Sequence, residues 1–527
     1  MKNNFKPLEI SGDIKSLAKK FGFSIDYNPD LLKTFRNTYS HLLPNPKKNA
    51  KIVLLSNYRG NFRSPDGKYT LDGRVKNSGT SQLHIFLPHL AFEKDIYLVV
   101  PPIDEEWINY LREAGIYQEG FNVKKRLITI NLPKMNASPV EALMKQNVIQ
   151  RIPKGSLLIT TFNDLSTKKL VEKKKLIHNQ EGINSYEGNS KINQRQDLLP
   201  MPPSIIIKDQ KETIEAVRTL QKEGVKKIWV KCGNNMGAGQ FMKSLSINSS
   251  EKSITNVLAW AKEIHNEQRV LMGKKKINSK RYVSAELMLE ADIGDFGGIV
   301  LEGAIYFILC SNKEVSVLHY AQQVKDPKDN SKAIGGKSFN PKPNSPEALY
   351  PKVMQELALY AAVRQRERHY KGFTGVDFFI LEMSKENFPK YLSVLKNVRM
   401  PTNNIPFQVL GRKIYVGVLG EINERETVVP PLQRIALNLG FNDYFSTSLY
   451  NLPDGFDFTD LKKLVLQSGL KLSQVIPLTR KPASLDSNGA PIYKGIPGNF
   501  YIGIFANKNA EECYQRLIKS LTTIQSN

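Results

Sequence analysis

Three oxygen-bearing side chains in the middle of the 527-residue chain have the types and spacing to hold a hard cation. Asp377 lies in Gly375-Val376-Asp377-Phe378-Phe379, and Glu421, Asn423 and Arg425 lie in Gly420-Glu421-Ile422-Asn423-Glu424-Arg425. Each acid is set in an apolar run, Phe373 to Leu381 and Ile414 to Ile422. Both runs are rich in β-branched and aromatic residues and bounded by Gly or polar turns, so both read as buried strands. Glu421 and Asn423 are two apart, which on a strand puts both side chains on one face. A carboxylate there is costly unless a cation answers it. Two carboxylates and an amide oxygen converging from neighbouring strands suit Mg²⁺, which keeps waters and takes its remaining ligands from substrate phosphates. That is nucleotide chemistry. Taken singly, each acid is also an ordinary strand-end residue, and Asp377 could instead be salt-bridged to Arg425.

The elements upstream must position these groups. A strand from Lys227 to Cys232 carries Lys231 and runs into Gly233-Asn234-Asn235-Met236-Gly237-Ala238-Gly239-Gln240. Such a loop exposes backbone N–H groups without Cβ obstruction, so it can fold over phosphates while the lysine neutralises them. It is not a P-loop, which needs Gly-Lys-Ser/Thr, nor a dinucleotide fingerprint, which needs a helix next. Gln240 to Ser246 continues as a β-like run, so the loop reads as a hairpin lid. A strand from Tyr282 to Leu289 contains Glu286, suited to an adenine and ribose edge and equally to a salt bridge. Strands at Ile299 to Cys310 and Val315 to Ala321 and a helix from Ser345 to Arg366 lead into the Asp377 strand.

Before residue 175, short apolar runs (Lys51 to Ser56, Asp95 to Val100, Leu127 to Leu132, Ser156 to Thr161) alternate with helical segments, which predicts a mostly parallel sheet with covering helices. The turn Asn57-Tyr58-Arg59-Gly60 follows the first run, at the carboxyl end where ligands of open α/β sheets bind; Asn57 and Arg59 are weak candidates beside an ordinary-turn reading. Residues 176–202 are polar and Gly/Pro-punctuated, which reads as a linker or mobile loop. From Phe445 on, a helix, a Gly/Pro/Ser loop, the strand Asn499 to Phe505 and a final helix make a small α+β segment, read either as closing over substrate or as an edge hairpin finishing the core.

Composition excludes more than it names. Lys and Arg total 75 against 50 Asp and Glu, a formal charge of +25, but the lysines are scattered. No basic stripe with interleaved aromatics, zinc-finger spacing or RNP-like motif marks a nucleic-acid binder. Cys232, Cys310 and Cys513 fit no metal or disulfide spacing, and His84 and His89 read as packing or surface residues. No apolar run reaches membrane-spanning length and the first 20 residues carry no signal-type apolar core, so the expectation is a cytoplasmic protein.

Lysine in a strand, a glycine hairpin, an apolar strand with an acid, then Gly-Val-Asp-Phe and Glu-Ile-Asn-x-Arg, in that order, resemble the ATP-grasp superfamily of carboxylate-amine ligases. The resemblance covers roughly residues 200 to 440. The Ser56-Asn57 strand end and a further C-terminal segment resemble the pheganomycin-type peptide ligases within it. The resemblance implies an α/β and α+β multidomain fold: an α/β pre-ATP-grasp domain over 1–175, a linker at 176–202, a small lobe over 203–290, a large lobe over 291–440 and a C-terminal α+β module over 441–527. It implies ATP and Mg²⁺ as cofactors, and a carboxylate and an amine, amino acid or peptide, as substrates. By position, Lys231 would hold ATP phosphates, Gly237 and Gly239 would belong to the lid and Glu286 to the adenine hinge. Asp377, Glu421 and Asn423 would hold Mg²⁺, and Arg425 would contact phosphate or acyl phosphate. The chain departs from the family where 44 positions separate Asp377 from Glu421, strands that usually form a close hairpin; residues 383–413 read as an insertion. A second phosphate lysine cannot be picked from those at 168 to 175. Glu424 and Glu426 are on hand as bases, though an amine losing its proton to solvent needs none. The other reading is a non-ligating ATP-binding protein or kinase using the same site, for which the insertion is the best argument.

Overall fold

A computed structural model describes residues 10–43, 50–55, 85–131, 139–161, 165–178, 180–181, 191–197, 199–232, 242–247, 251–271, 287–311, 313–326, 329–424, 427, 429–449, 452–453, 455–479 and 500–526. The helix Gly12–Lys20, its N-terminus capped by the Ser11 hydroxyl, leads into β1 (Ser24–Tyr27). The alternating apolar runs then form β2 (Ile52–Leu55), β3 (Ile96–Val100), β4 (Leu127–Thr129), β5 (Leu157–Thr160) and β6 (Ile177–His178), one parallel sheet in the order β4-β3-β2-β5-β6. Its strands are apolar on both faces because both are covered. Ile52 and Leu54 pack with Trp107 and Leu111 on one side, and Val53 and Leu55 with Val140, Leu143 and Leu170 on the other.

β7 (Gln180–Glu181) pairs with the later strand Lys371–Ser384, and the helix Lys191–Gln196 follows. A second, antiparallel sheet contains β8 (Ser204–Ile207), β9 (Lys227–Cys232), β10 (Met242–Ser246) and β11 (Leu287–Ala291), in the order β10-β9-β11-β8. The helix Gln210–Lys222, capped by Asp209 accepting from the Glu212 amide at 2.8 Å, and the helix Glu251–Leu271 cover it. Val217, Leu220, Val257 and Ala261 meet Ile228 and Val230 there.

The largest sheet is built on β12 (Gly298–Ser311), β13 (Glu314–Asp326), β14 (Asp329–Ser338), β15 (Lys371–Ser384), β16 (Phe407–Leu410), β17 (Lys413–Asn423), β18 (Asp443–Leu449), β19 (Val475–Pro477) and β20 (Phe500–Ala506), in the order β16-β17-β15-β12-β13-β14-β18-β20-β19. The C-terminal strands therefore make no sheet of their own; β14 pairs with β18 and carries them on. One face lies under the helix Tyr350–Glu367, which approaches so closely that a Cβ on Gly417 would sit 2.4 Å from Val353. On the other face Tyr306, Ile308 and Phe373 share a core with Phe35, Tyr39 and Leu42 of the N-terminal region. Among the described residues no helix is long and apolar enough to cross a membrane.

His89 is not a surface residue: it lies in this core against the rings of Phe35 and Phe92. Burial holds its imidazole well below the ordinary histidine range. Burial also holds His319, bonded to the Tyr444 hydroxyl at 2.9 Å, down at about 3. The unfolded chain protonates both near the ordinary value of about 6.5, while the folded chain does not. Their contribution is thus complete above about pH 6.5 and lost as pH falls towards the folded values, at up to about 1.4 kcal/mol per pH unit for each. Thermal unfolding should show a lower midpoint at pH 5.5 than at pH 7.5, and His319→Gln should narrow that gap. A gap unchanged by the substitution would clear His319 of the effect.

Candidate active site

β15 and β17 pair directly, with Asp377 opposite Glu421 and Gly375 opposite Asn423. Cross-strand partners share a face, so Asp377, Glu421 and Asn423 project to the same side. The stretch expected as an insertion folds as the helix Asn387–Asn397, packed in the core with Val376 and Ile380, and the edge strand β16, outside β17, and leaves the β15–β17 ladder intact. A bulge after Asp377 leaves Gly420 without a partner, a device that adjusts which way the neighbouring side chains aim. Gly375 has a separate reason to be glycine. A Cβ there would come within 2.8 Å of the Tyr306 ring, which lies across the strand beside Asn423.

Asn423 is only 4% exposed. Its Nδ2 donates to Asp377 Oδ2 at 3.0 Å, and its Oδ1 is buried with no hydrogen-bond donor among the described residues. A buried acceptor without a donor is costly; a cation or a cation-bound water would remove that cost. No three His, Cys, Asp or Glu side chains among the described residues gather as a metal set. The acids and amide of β15 and β17 are a lean oxygen set, which fits an ion that completes its shell with water and phosphate oxygens.

A second group of charges adjoins them. On β9, Lys231 stands opposite Met288 of β11, and Trp229 opposite Glu290. Lys231 and Glu290 are therefore diagonal neighbours on one face, and they form an ion pair with side chains 15% and 8% exposed. In the large sheet Lys325 donates to Glu302 at 2.5 Å. Burial raises the Glu302 carboxyl, while Lys325 and, across the gap between sheets, Lys231 pull it down. Glu302 stands opposite Phe379 and Ala304 opposite Asp377. Glu302 thus faces the same side as Asp377, as its diagonal neighbour on the adjacent strand, at about 7–8 Å. Two lysines and two carboxylates from two separate sheets thus gather about Glu302, on the face that carries Asp377.

Glu290, Glu302 and Lys325 were not among the residues expected from sequence. The available signal was Glu302, the one acid in the otherwise apolar run from Ile299 to Cys310. The lysines at 168 to 175, from which no second phosphate lysine could be picked, lie on and just after the helix Leu165–Lys174 of the parallel-sheet region; the cation bonded to Glu302 is Lys325. Glu424 is fully buried and accepts from Arg364 at 2.9 Å, so it is engaged in a structural ion pair. Ser56, Asn57, Arg59, His84, Gly237, Gly239, Glu286, Arg425 and Glu426 lie outside the described residues. β9 and β10 do pair antiparallel, Lys231 opposite Met242, so the glycine stretch connects two hairpin strands.

No family model and no curated protein matches the chain. Among solved structures it is similar to N5-carboxyaminoimidazole synthase from Aspergillus clavatus, in complex with ADP and 5-aminoimidazole ribonucleotide, at 14% identity and a TM-score of 0.45 over 90% of this chain and 99% of that one. It is similar to an L-amino acid ligase from Bacillus licheniformis at 11% identity and a TM-score of 0.44, over 90% and 98%. It is similar to D-alanyl-alanine synthetase A from Vibrio cholerae at 12% identity and a TM-score of 0.32, over 54% and 72%. Likenesses this distant transfer no residue's role, and the functional reading below rests on the chain's own geometry.

The Lys231–Glu290 pair can be tested apart from any activity. Lys231→Met strands a buried carboxylate and should cost about 3–5 kcal/mol in urea unfolding, whereas adding Glu290→Leu should recover most of that loss. Equal losses in the single and double variants would show that the two charges are not coupled.

Proposed function

We propose that the chain is an ATP-dependent ligase of the ATP-grasp kind, joining a carboxylate to an amine of an amino acid or peptide through an acyl phosphate. The observation that carries this reading is the β15–β17 register. It sets Asp377, Glu421 and Asn423 on one face, with a buried Asn423 acceptor that no donor among the described residues answers, and with Lys231, from a different sheet, within electrostatic reach of Glu302 on that face. A nucleotide held between two sheets needs this arrangement: anionic ligands for a cation on one body and a phosphate-neutralising lysine on the other.

Asp377, Glu421 and Asn423 would hold the divalent cation, for which Mg²⁺ is the hard-oxygen choice, and when bound it supplies neutralisation of phosphate charge. Lys231 would add its ammonium to the phosphates after exchanging Glu290 for them, and Lys325 offers a second. Arg425, two residues beyond Asn423, is assigned to phosphate or acyl phosphate, Gly237 and Gly239 to the lid and Glu286 to the adenine edge. The substrate carboxylate bonds to the γ-phosphorus as the bond to ADP breaks, and positioning and charge stabilisation do most of the catalytic work. The amine nitrogen then bonds to the acyl carbon, phosphate leaves with the C–O electron pair, and the amine proton passes to solvent. A closed lid keeps water from the acyl phosphate. The long stretch between Asp377 and Glu421, the feature that favours a kinase or non-ligating protein, packs its helix on the apolar face with Val376, Phe378 and Ile380 and leaves the polar face of the ladder uncovered.

The test is ADP release with Mg²⁺ and ATP over a panel of amino acids and short peptides, singly and in pairs. Turnover is expected only when a carboxylate and an amine are both present, and Glu421→Ala should lower it at least about a hundredfold, or roughly 3 kcal/mol. ADP release that needs only one substrate, with a phosphorylated product, would replace the ligase by a kinase.

A further inference from the structure

The edge strand β16 covers β17 only from Lys413 to Val416, so the outer edge near the acids needs other partners. They come from the polar stretch that the sequence marks as a linker. The Leu419 amide donates to the Pro200 carbonyl at 2.8 Å. Gln194, on the helix Lys191–Gln196 and fully buried, then binds Ile422 twice. Its Oε1 accepts from the Ile422 amide at 3.0 Å, and its Nε2 donates to the Ile422 carbonyl at 2.9 Å. A carboxamide making both bonds reproduces what a neighbouring strand's peptide groups would supply. Ile422 is the residue between Glu421 and Asn423. The next residue after Asn423 is also held: Glu424 pairs with Arg364, which pairs in turn with Asp197 at the end of the same helical segment.

We propose that Gln194 is a positioning residue for the cation-holding pair, fixing Glu421 and Asn423 through the peptide groups of the residue between them. The proposal rests on reading Asp377, Glu421 and Asn423 as a cation site. Side chains that ligate an ion keep their aim only if the backbone bearing them is fixed, and removing such outer supports commonly weakens metal binding about 10–100-fold. Gln194 touches no ligand in this scheme and acts through its bonds to Ile422 of β17.

The experiment uses the full chain with Mn²⁺ as probe, its binding in the presence of ADP followed by electron paramagnetic resonance, and hydrogen exchange of the β17 amides followed in parallel. Gln194→Leu keeps the volume and removes both bonds. The expected result is Mn²⁺ affinity lower by at least about tenfold, faster exchange at the Ile422 amide, and ADP affinity in EDTA unchanged. Arg195→Ala lies on the same helix but removes bonds to the Ser204 and Val398 carbonyls, and it should leave Mn²⁺ affinity as in wild type. A folded Gln194→Leu protein with wild-type Mn²⁺ affinity overturns the proposal, as does an equal loss in Arg195→Ala, which would make the effect one of helix disruption. If Gln194→Leu does not fold, Gln194→Glu decides: it keeps an acceptor for the Ile422 amide but loses the donor to its carbonyl, so unchanged Mn²⁺ binding in that variant also overturns the proposal. Wild-type protein that binds no Mn²⁺ with ADP overturns the cation site itself, a failure visible before any variant is made.

Discussion

The pairing of β15 with β17 is the constraint on which the site depends, because its register decides which face the polar residues occupy. A slip of one residue would turn Asp377, Glu421 and Asn423 into the core and bring the apolar residues between them out. The apolar residues prevent that slip. Val376 opposite Ile422, Phe378 opposite Leu419 and Ile380 opposite Gly417 form the other face of the same ladder, and all the apolar ones among them lie in one core with Val353 and Leu357 of the covering helix. Burial of that face therefore sets the geometry of the polar one. Gly417 refines it, since any side chain there would collide with Val353 and push the helix away from the sheet.

The acids were legible because each interrupts an apolar β run, and a two-residue spacing means a shared face whatever the tertiary structure. The parallel sheet was legible for the same reason: its strands are continuous apolar runs separated by helical segments. What could not be read was the partnership between elements. The residues between Asp377 and Glu421 obscured a ladder that pairs them directly, since a helix and an edge strand can be inserted between two neighbouring strands without parting them. Glu290, Glu302 and Lys325 were hidden differently. Each is an unremarkable charge in its own segment and gains meaning only when the β9–β11 sheet is set against the large sheet. The C-terminal strands could be read either as closing over substrate or as an edge finishing the core, because nothing local says that β18 will pair with β14.

Gln194 shows why polar, Gly/Pro-punctuated sequence is an unsafe guide to exposure. Local composition reports that a segment lacks enough apolar surface to form its own core. It does not report whether the segment completes the hydrogen bonding of a strand edge elsewhere. A strand edge inside a folded protein carries peptide groups that must be paired, and a carboxamide has one donor and one acceptor group in the spacing a peptide offers. A polar segment can thus be as firmly held as a hydrophobic one, through bonds that no hydropathy pattern displays.

The distribution of charge bears on the same point. Many of the described ion pairs are solvent-exposed, such as Lys33–Asp30 and Lys124–Glu105, and pairs of that kind contribute little to stability. The two described pairs most withdrawn from water are Lys231–Glu290 and Arg364–Glu424. Withdrawing two charges from water costs about as much as their attraction returns, so apolar side chains of similar size would hold the fold equally well. Stability alone does not account for charge at these two places. Arg364 fixes Glu424, the residue after Asn423, and Lys231 lies within electrostatic reach of Glu302 on the face that carries Asp377; on the proposed reading it would be released to an anionic ligand. The fold carries its costliest electrostatics where an ion and a polyanionic substrate would repay them.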